Sequence, residues 1–141
     1  MTSILFLSNA SNRLHAAAAW LAAAWQERKA VLVFAPERDV AERLDHLLWT
    51  QHATGFLPHC RADSPLAAET PILIADNLDR LPQDRCLLNL SNEVPPGFSR
   101  FEQLVEIVSI DDRDRVPARD RFRFYRERGY AMDTRNVAAD A

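Results

Sequence analysis

Short apolar runs alternate along the chain with stretches whose apolar residues recur every three or four positions. Ile4–Leu7 is the first run. Ser11 or Asn12 then caps a helix predicted to reach about Glu27, with Leu14, Ala18, Leu21 and Trp25 on one stripe. Ala30–Ala35 is the second run, stopped by Pro36, and a second helix is predicted over Arg38 to Trp49 with Val40, Leu44, Leu47 and Leu48 inward. Thr50 to Thr70 is turn-prone, carrying Gly55, Pro58 and Pro65. Pro71–Ala75 and Cys86–Leu90 are further apolar runs, and a loop with Pro95, Pro96 and Gly97 follows. The pattern then predicts a short helix around Ser99–Val105, a strand Glu106–Ile110, and a last helix from near Arg115 to about Arg128, with Pro117 in its first turn. Strands this apolar have both faces buried. Alternating with helices, they predict an α/β fold, a three-layer α/β/α sandwich around a mostly parallel sheet.

The chain has 141 residues, enough for one domain with a core of its own. That domain is expected to span residues 1–130, with 131–141, rich in Ala and Asp, as a flexible tail. A formal charge of −3 excludes a protein that coats DNA or anionic membrane by bulk electrostatics. Two cysteines, Cys60 and Cys86, make no disulfide framework, and the alanine-rich Ala16–Trp25 is too short for a membrane span. With no secretory segment read ahead of the first run, a soluble cytoplasmic protein is expected.

An α/β sheet invites a search for a nucleotide site beyond its strand ends. The first strand–helix turn, Ser8-Asn9-Ala10-Ser11-Asn12, has no glycine, and neither GxGxxG nor GxxxxGK[ST] occurs. Asp76, after Ile72-Leu73-Ile74-Ala75, resembles a magnesium-positioning strand-end acid, but without a phosphate loop it reads as a strand terminator or cap. His59-Cys60 opens like a cysteine phosphatase loop, yet Leu66 stands where the phosphate-binding arginine belongs. His15, His46, His52 and His59 show no zinc spacing, and Asp76-Asn77-Leu78-Asp79 is too sparse for a calcium loop. No catalytic residue, metal or cofactor is expected. A degenerate nucleotide-dependent hydrolase using Asp76 stays as the enzymatic alternative, beside an α/β interaction domain with unrelated partners.

Two places stand out. Trp49 lies at the flank of its helix's core stripe, about 100° from Leu48, and Phe56-Leu57-Pro58 follow a glycine in polar surroundings. These aromatics either cover one another under the loop or form an exposed anchor patch for a partner protein. In the last helix, Arg115, Arg119, Arg123 and Arg126 recur on one face beside an apolar stripe of Ala118, Phe122 and Tyr125. Such a run is either a solvated charged face or a basic ridge beside an aromatic groove. The ridge would take an acidic peptide with a hydrophobic end.

Both places carry a family resemblance. Arg43-Leu44-Asp45-His46-Leu47-Leu48-Trp49, followed by Phe56-Leu57-Pro58-His59, resembles the central signature of the chi subunit of bacterial DNA polymerase III. Arg119-Asp120-Arg121-Phe122-Arg123-Phe124-Tyr125-Arg126 with Gly129-Tyr130 is similar to that family's last helix. The resemblance covers nearly the whole chain. It implies a Rossmann-like fold without nucleotide chemistry, and a non-catalytic accessory subunit of the polymerase clamp-loader complex in DNA replication. It further implies a psi-subunit surface anchored by Trp49, Phe56 and Leu57. A separate surface for the acidic C-terminal tail of single-stranded DNA-binding protein would use Arg115, Arg119, Phe122 and Arg123, with Ile110 at the preceding strand end. Direct DNA contact is expected to be weak, since no strand surface interleaves aromatic and basic residues.

Overall fold

A computed structural model describes residues 2–50, 58–65, 70–78 and 84–137. Among these residues seven strands form one parallel sheet: β1 (Ser3–Ala10), β2 (Val31–Phe34), β3 (His59–Arg61), β4 (Ile72–Ala75), β5 (Cys86–Asn89), β6 (Gln103–Ser109) and β7 (Ala131–Asn136). Their order across the sheet is β3-β4-β2-β5-β6-β1-β7. Helices α1 (Arg13–Gln26) and α2 (Arg38–Thr50) cover one face and α3 (Asp112–Glu127) the other. This is the three-layer α/β arrangement that the apolar runs predict.

The two-residue period of a strand sorts the core into two halves. Leu5, Leu7, Val31, Val33, Ile72, Ile74, Leu88, Val105 and Ile107 point to α1 and α2, where Ala17, Ala18, Leu21, Leu44 and Leu48 meet them. Alanines on α1 let that helix lie close to the sheet. Ile4, Phe6, Leu32, Phe34, Leu73, Leu87 and Leu104 point the other way, against Ala118 and Tyr125 of α3 and the rings of Phe98 and Phe101. Asn12 caps α1 by accepting the His15 N–H at 3.0 Å. At its other end Lys29 N–H reaches the Ala24 carbonyl and Arg28 N–H that of Trp25, with Arg28 left-handed at φ 58°. The same closure ends α3, where Gly129 takes φ 80° without a side-chain penalty.

Four expectations need correction. Residues 131–136 do not fray; they form β7, hydrogen-bonded in parallel to β1 from Ser3↔Ala131 to Ser8↔Asn136. As an edge strand with little burial, β7 has no apolar pattern to betray it. The helix expected at Ser99–Val105 is a single 3₁₀ turn, Phe98–Arg100, running into β6 at Gln103. Phe98 and Phe101, three apart, both enter the core through that turn, and Leu104 already follows the strand's period. Within the turn-prone segment, His59–Arg61 pairs with β4 as a short edge strand. Lastly, α3 begins at Asp112 because Asp111 caps it, so Pro117 lies beyond the first turn and removes one ladder bond.

Candidate functional site

The last helix is held by charge chemistry at both its start and its underside. Asp111 Oδ1 accepts the Arg113 N–H at 2.9 Å while Oδ2 pairs with the Arg113 guanidinium at 2.9 Å. These hydrogen bonds hold the Asp111 carboxyl below the ordinary carboxylate range. Asp112 and Asp114 add negative charge to the first turn, where the helix dipole favours it. Ser109 Oγ donates to Asp114 at 2.6 Å and ties that turn to the end of β6.

Underneath, Glu106 interrupts the apolar β6 and points to the α3 face, fully buried. Its Oε2 accepts from Arg121 Nε at 3.1 Å, from the Tyr125 hydroxyl at 2.7 Å and from Asn89 Nδ2 at 3.0 Å. Burial first, and then the Glu106 charge, push the Tyr125 phenol above its usual range. Arg121 therefore is not part of the surface run around it. It is a core residue, and the signal for it is Glu106, a charge in an otherwise apolar strand that must meet an opposite charge.

Around the helix, Ala118, Arg121 and Tyr125 are buried, and Arg115, Arg119 and Arg126 lie about 100° away. Phe122 lies between these stripes, half-buried, with its ring edge-on to Phe6 at 5.2 Å and the Arg126 guanidinium 5.9 Å above it. Arg115 is bound to Asp112 at 2.6 Å, and Arg123 stands 3.9 Å from Asp120. Among the described residues the Arg119 guanidinium has no ion pair or hydrogen bond, which of these three site arginines leaves it uncommitted. Ile110, one residue past β6, is 59% exposed and donates its N–H to the Ala10 carbonyl at the end of β1. Arg119 and the half-buried Phe122 are neighbours three apart on α3, and Ile110 stands exposed two residues before the helix's first turn.

Trp49 is 57% exposed at the end of α2. Its ring lies 5.0 Å from that of His59 on β3, inclined at 61°, and His59 Nε2 is 3.1 Å from Asp45 Oδ1. Phe56 and Leu57, the other anchors implied by the resemblance, lie outside the described residues.

At the carboxyl ends of the strands, where α/β sheets take ligands, the chain places its own cation. Arg13 donates to the carbonyls of Ile107 at 2.9 Å and Ser91 at 2.8 Å, and to Asn92 Oδ1 at 3.2 Å. Desolvation, reinforced by nearby Arg121, lowers its pKa. The adjoining cleft of about 380 Å³ is lined by Glu37, Asp39, Asp111 and Asp114 as well as Arg43 and Arg113, a mixed set that favours neither sign of ligand. Asp76 is exposed, bonded to the Asn77 amide at 2.9 Å and 3.9 Å from Arg61. Burial pushes the Cys86 thiol up to about 11, which keeps it protonated at neutral pH. Among the described residues no three His, Cys, Asp or Glu side chains are grouped to hold a metal ion, and no helix is long and apolar enough to cross a membrane.

Residues 1–133 match the family described as DNA polymerase III chi subunit, HolC. The chain belongs to the DNA polymerase III chi subunit family. Relatives named DNA polymerase III subunit chi include that of Pseudomonas aeruginosa, 32% identical over 86% of this chain and 84% of its own length. That of Haemophilus influenzae is 32% identical over 82% and 81%, and that of Escherichia coli 30% identical over 78% and 76%. Membership in the chi family places the chain with the DNA polymerase III complex and DNA replication, and spans both surfaces described above.

Proposed function

We propose that this chi-family member is a non-catalytic bridge of the clamp-loader complex. Trp49, with Phe56 and Leu57, anchors the psi subunit or an equivalent protein. Arg115, Arg119, Arg123, Phe122 and Ile110 take the acidic tail of single-stranded DNA-binding protein. The observation that carries this reading is the separation of the two surfaces. Trp49 and His59 stand at the β3 edge, on the α1/α2 side, whereas α3 packs over β6 and β7 on the opposite face. Four inter-strand steps of about 4.8 Å part β3 from β6, about 19 Å across the sheet, so two partners can sit without touching.

On the tail surface, Arg119 supplies a guanidinium with its donors unspent, and arginine can grip a carboxylate with two parallel bonds. Phe122 and Ile110 offer apolar contact to a hydrophobic chain end. Because the arginines are exposed, the charged part of the contact is screened by salt. A modest affinity suffices, since many tails on one coated strand raise the effective concentration.

Titration of a labelled acidic peptide ending in Asp-Ile-Pro-Phe, at two salt concentrations, tests this site. Micromolar binding that salt weakens, that Arg119→Ala weakens by about tenfold or more, and that removal of the terminal Phe abolishes, supports it. No binding to the intact peptide removes the tail-binding role.

A further inference from the structure

Trp49 does not project alone. Asp45 and Trp49 are four apart on α2 and so lie one above the other on a single helix face. Against them lies the side chain of His59 from β3, whose ring is 1% exposed although it is polar. That ring meets both members of the helical pair: Nε2 lies 3.1 Å from Asp45 Oδ1, and the ring lies 5.0 Å from the indole at 61°. A carboxylate oxygen only accepts, so the proton of this hydrogen bond is carried on Nε2, and the bond fixes the plane of the imidazole. The separation and tilt to Trp49 fall within the edge-to-face range of aromatic pairs.

We infer that His59, oriented by Asp45, is a positioning residue that holds the exposed Trp49 indole ready for a docking partner. The inference rests on the reading of Trp49 as an anchor and adds how that anchor is prepared. Immobilising a free, exposed side chain at an interface weakens association, and an indole already held avoids that loss. An apolar side chain at position 59 would fill the space and leave the ring unoriented. Histidine combines an aromatic edge for Trp49 with a polar tether to α2. Asp45 never touches the partner in this scheme; its carboxylate acts only through the imidazole.

The test is a double-mutant cycle read by psi-subunit binding to the full chain, with binding of the Asp-Ile-Pro-Phe peptide at α3 reporting that each variant is folded. Trp49→Ala is expected to raise Kd for psi by about thirtyfold, as for a buried aromatic hot spot. Asp45→Ala, at a half-exposed helix position, is expected to raise it about three- to tenfold, the cost of ordering one side chain. Asp45→Asn keeps an acceptor for Nε2–H and should restore binding to within about twofold. In a Trp49→Ala background, neither Asp45→Ala nor His59→Ala should add a further effect. In the unbound protein with Trp20→Phe and Trp25→Phe, Asp45→Ala should speed the local motion of Trp49 seen in fluorescence anisotropy decay. Weakening by Trp49→Ala with no change for Asp45→Ala and His59→Ala overturns the positioning role and leaves the anchor standing. Additive losses do the same. Unchanged binding in Trp49→Ala overturns the anchor itself.

Discussion

Arg119 and Arg121 stand two residues apart on α3, about 200° around the helix from each other, and their surroundings are opposite. Arg121 is buried over β6 with its Nε on Glu106, in a cluster completed by Tyr125 and Asn89. Arg119 is exposed, and its guanidinium has no ion pair or hydrogen bond among the described residues. The comparison separates two uses of one residue type. A buried arginine fixes where the helix lies, because its carboxylate partner exists at one place on the sheet. A surface arginine without a partner is available to an incoming carboxylate, and its neighbours decide which chain end follows. Arg115 and Arg123 fall between, since Asp112 and Asp120 already compete for them.

The largest expected effect lies on the buried side. Glu106→Ala leaves Arg121 and Tyr125 without their acceptor, Asn89 keeping the Glu93 carbonyl, and should destabilise the fold by about 3–5 kcal/mol, measured by urea unfolding. Glu106→Leu combined with Arg121→Leu should be less destabilised than Glu106→Leu alone, because no uncompensated charge then stays in the core. If the double variant lost as much as the two single losses together, the pair would not be acting as a unit.

Arg119→Ala should change stability by no more than about 0.5 kcal/mol, as for a surface site without partners. It should nevertheless weaken the Asp-Ile-Pro-Phe peptide by about tenfold or more, the value of a charge-assisted hydrogen bond. Arg115→Ala and Arg123→Ala should each weaken it by about threefold, because these guanidiniums must first leave a neighbouring acid. Equal losses at all three positions would mean that the intrahelical pairs do not matter to binding.

The smallest effect concerns pH. Hydrogen bonds from Arg113 depress the Asp111 pKa in the folded state. The stability that this capping contributes is therefore fully present above the ordinary aspartate value of about 3.9 and is lost as pH falls through the lower folded value. Carboxyl NMR titration should find Asp111 below that ordinary value in the intact chain and restored toward it in Arg113→Ala.

The parts of this molecule that are legible in its sequence are those whose burial imposes a pattern. β2, β4 and β5 are apolar at nearly every position because both faces are covered, and α1 and α2 show their stripes because one side meets the sheet. β7 and β3 leave no such trace: one is exposed nearly throughout and the other is three residues long. The start of α3 was hidden by Asp-Arg-Asp-Arg, a polar run that reads as loop until Asp111 is seen to cap it. Within the candidate site, Arg119 and Phe122 follow from helical spacing alone. Which arginine is uncommitted does not, because pairing depends on side-chain geometry. The contact of Trp49 with His59 joins a helix to a strand formed ten residues later, and no local period encodes it.

The bridging account is tested most directly by asking whether both surfaces can be filled at once. Labelled Asp-Ile-Pro-Phe peptide would be titrated into the chain alone and into the chain saturated with psi subunit, with sedimentation velocity following what the label travels with. The account predicts a complex holding all three components and a peptide Kd unchanged within about twofold, since β3 and β6 lie about 19 Å apart across the sheet and the two proposed sites are on opposite faces. Displacement of the peptide as psi binds would contradict it.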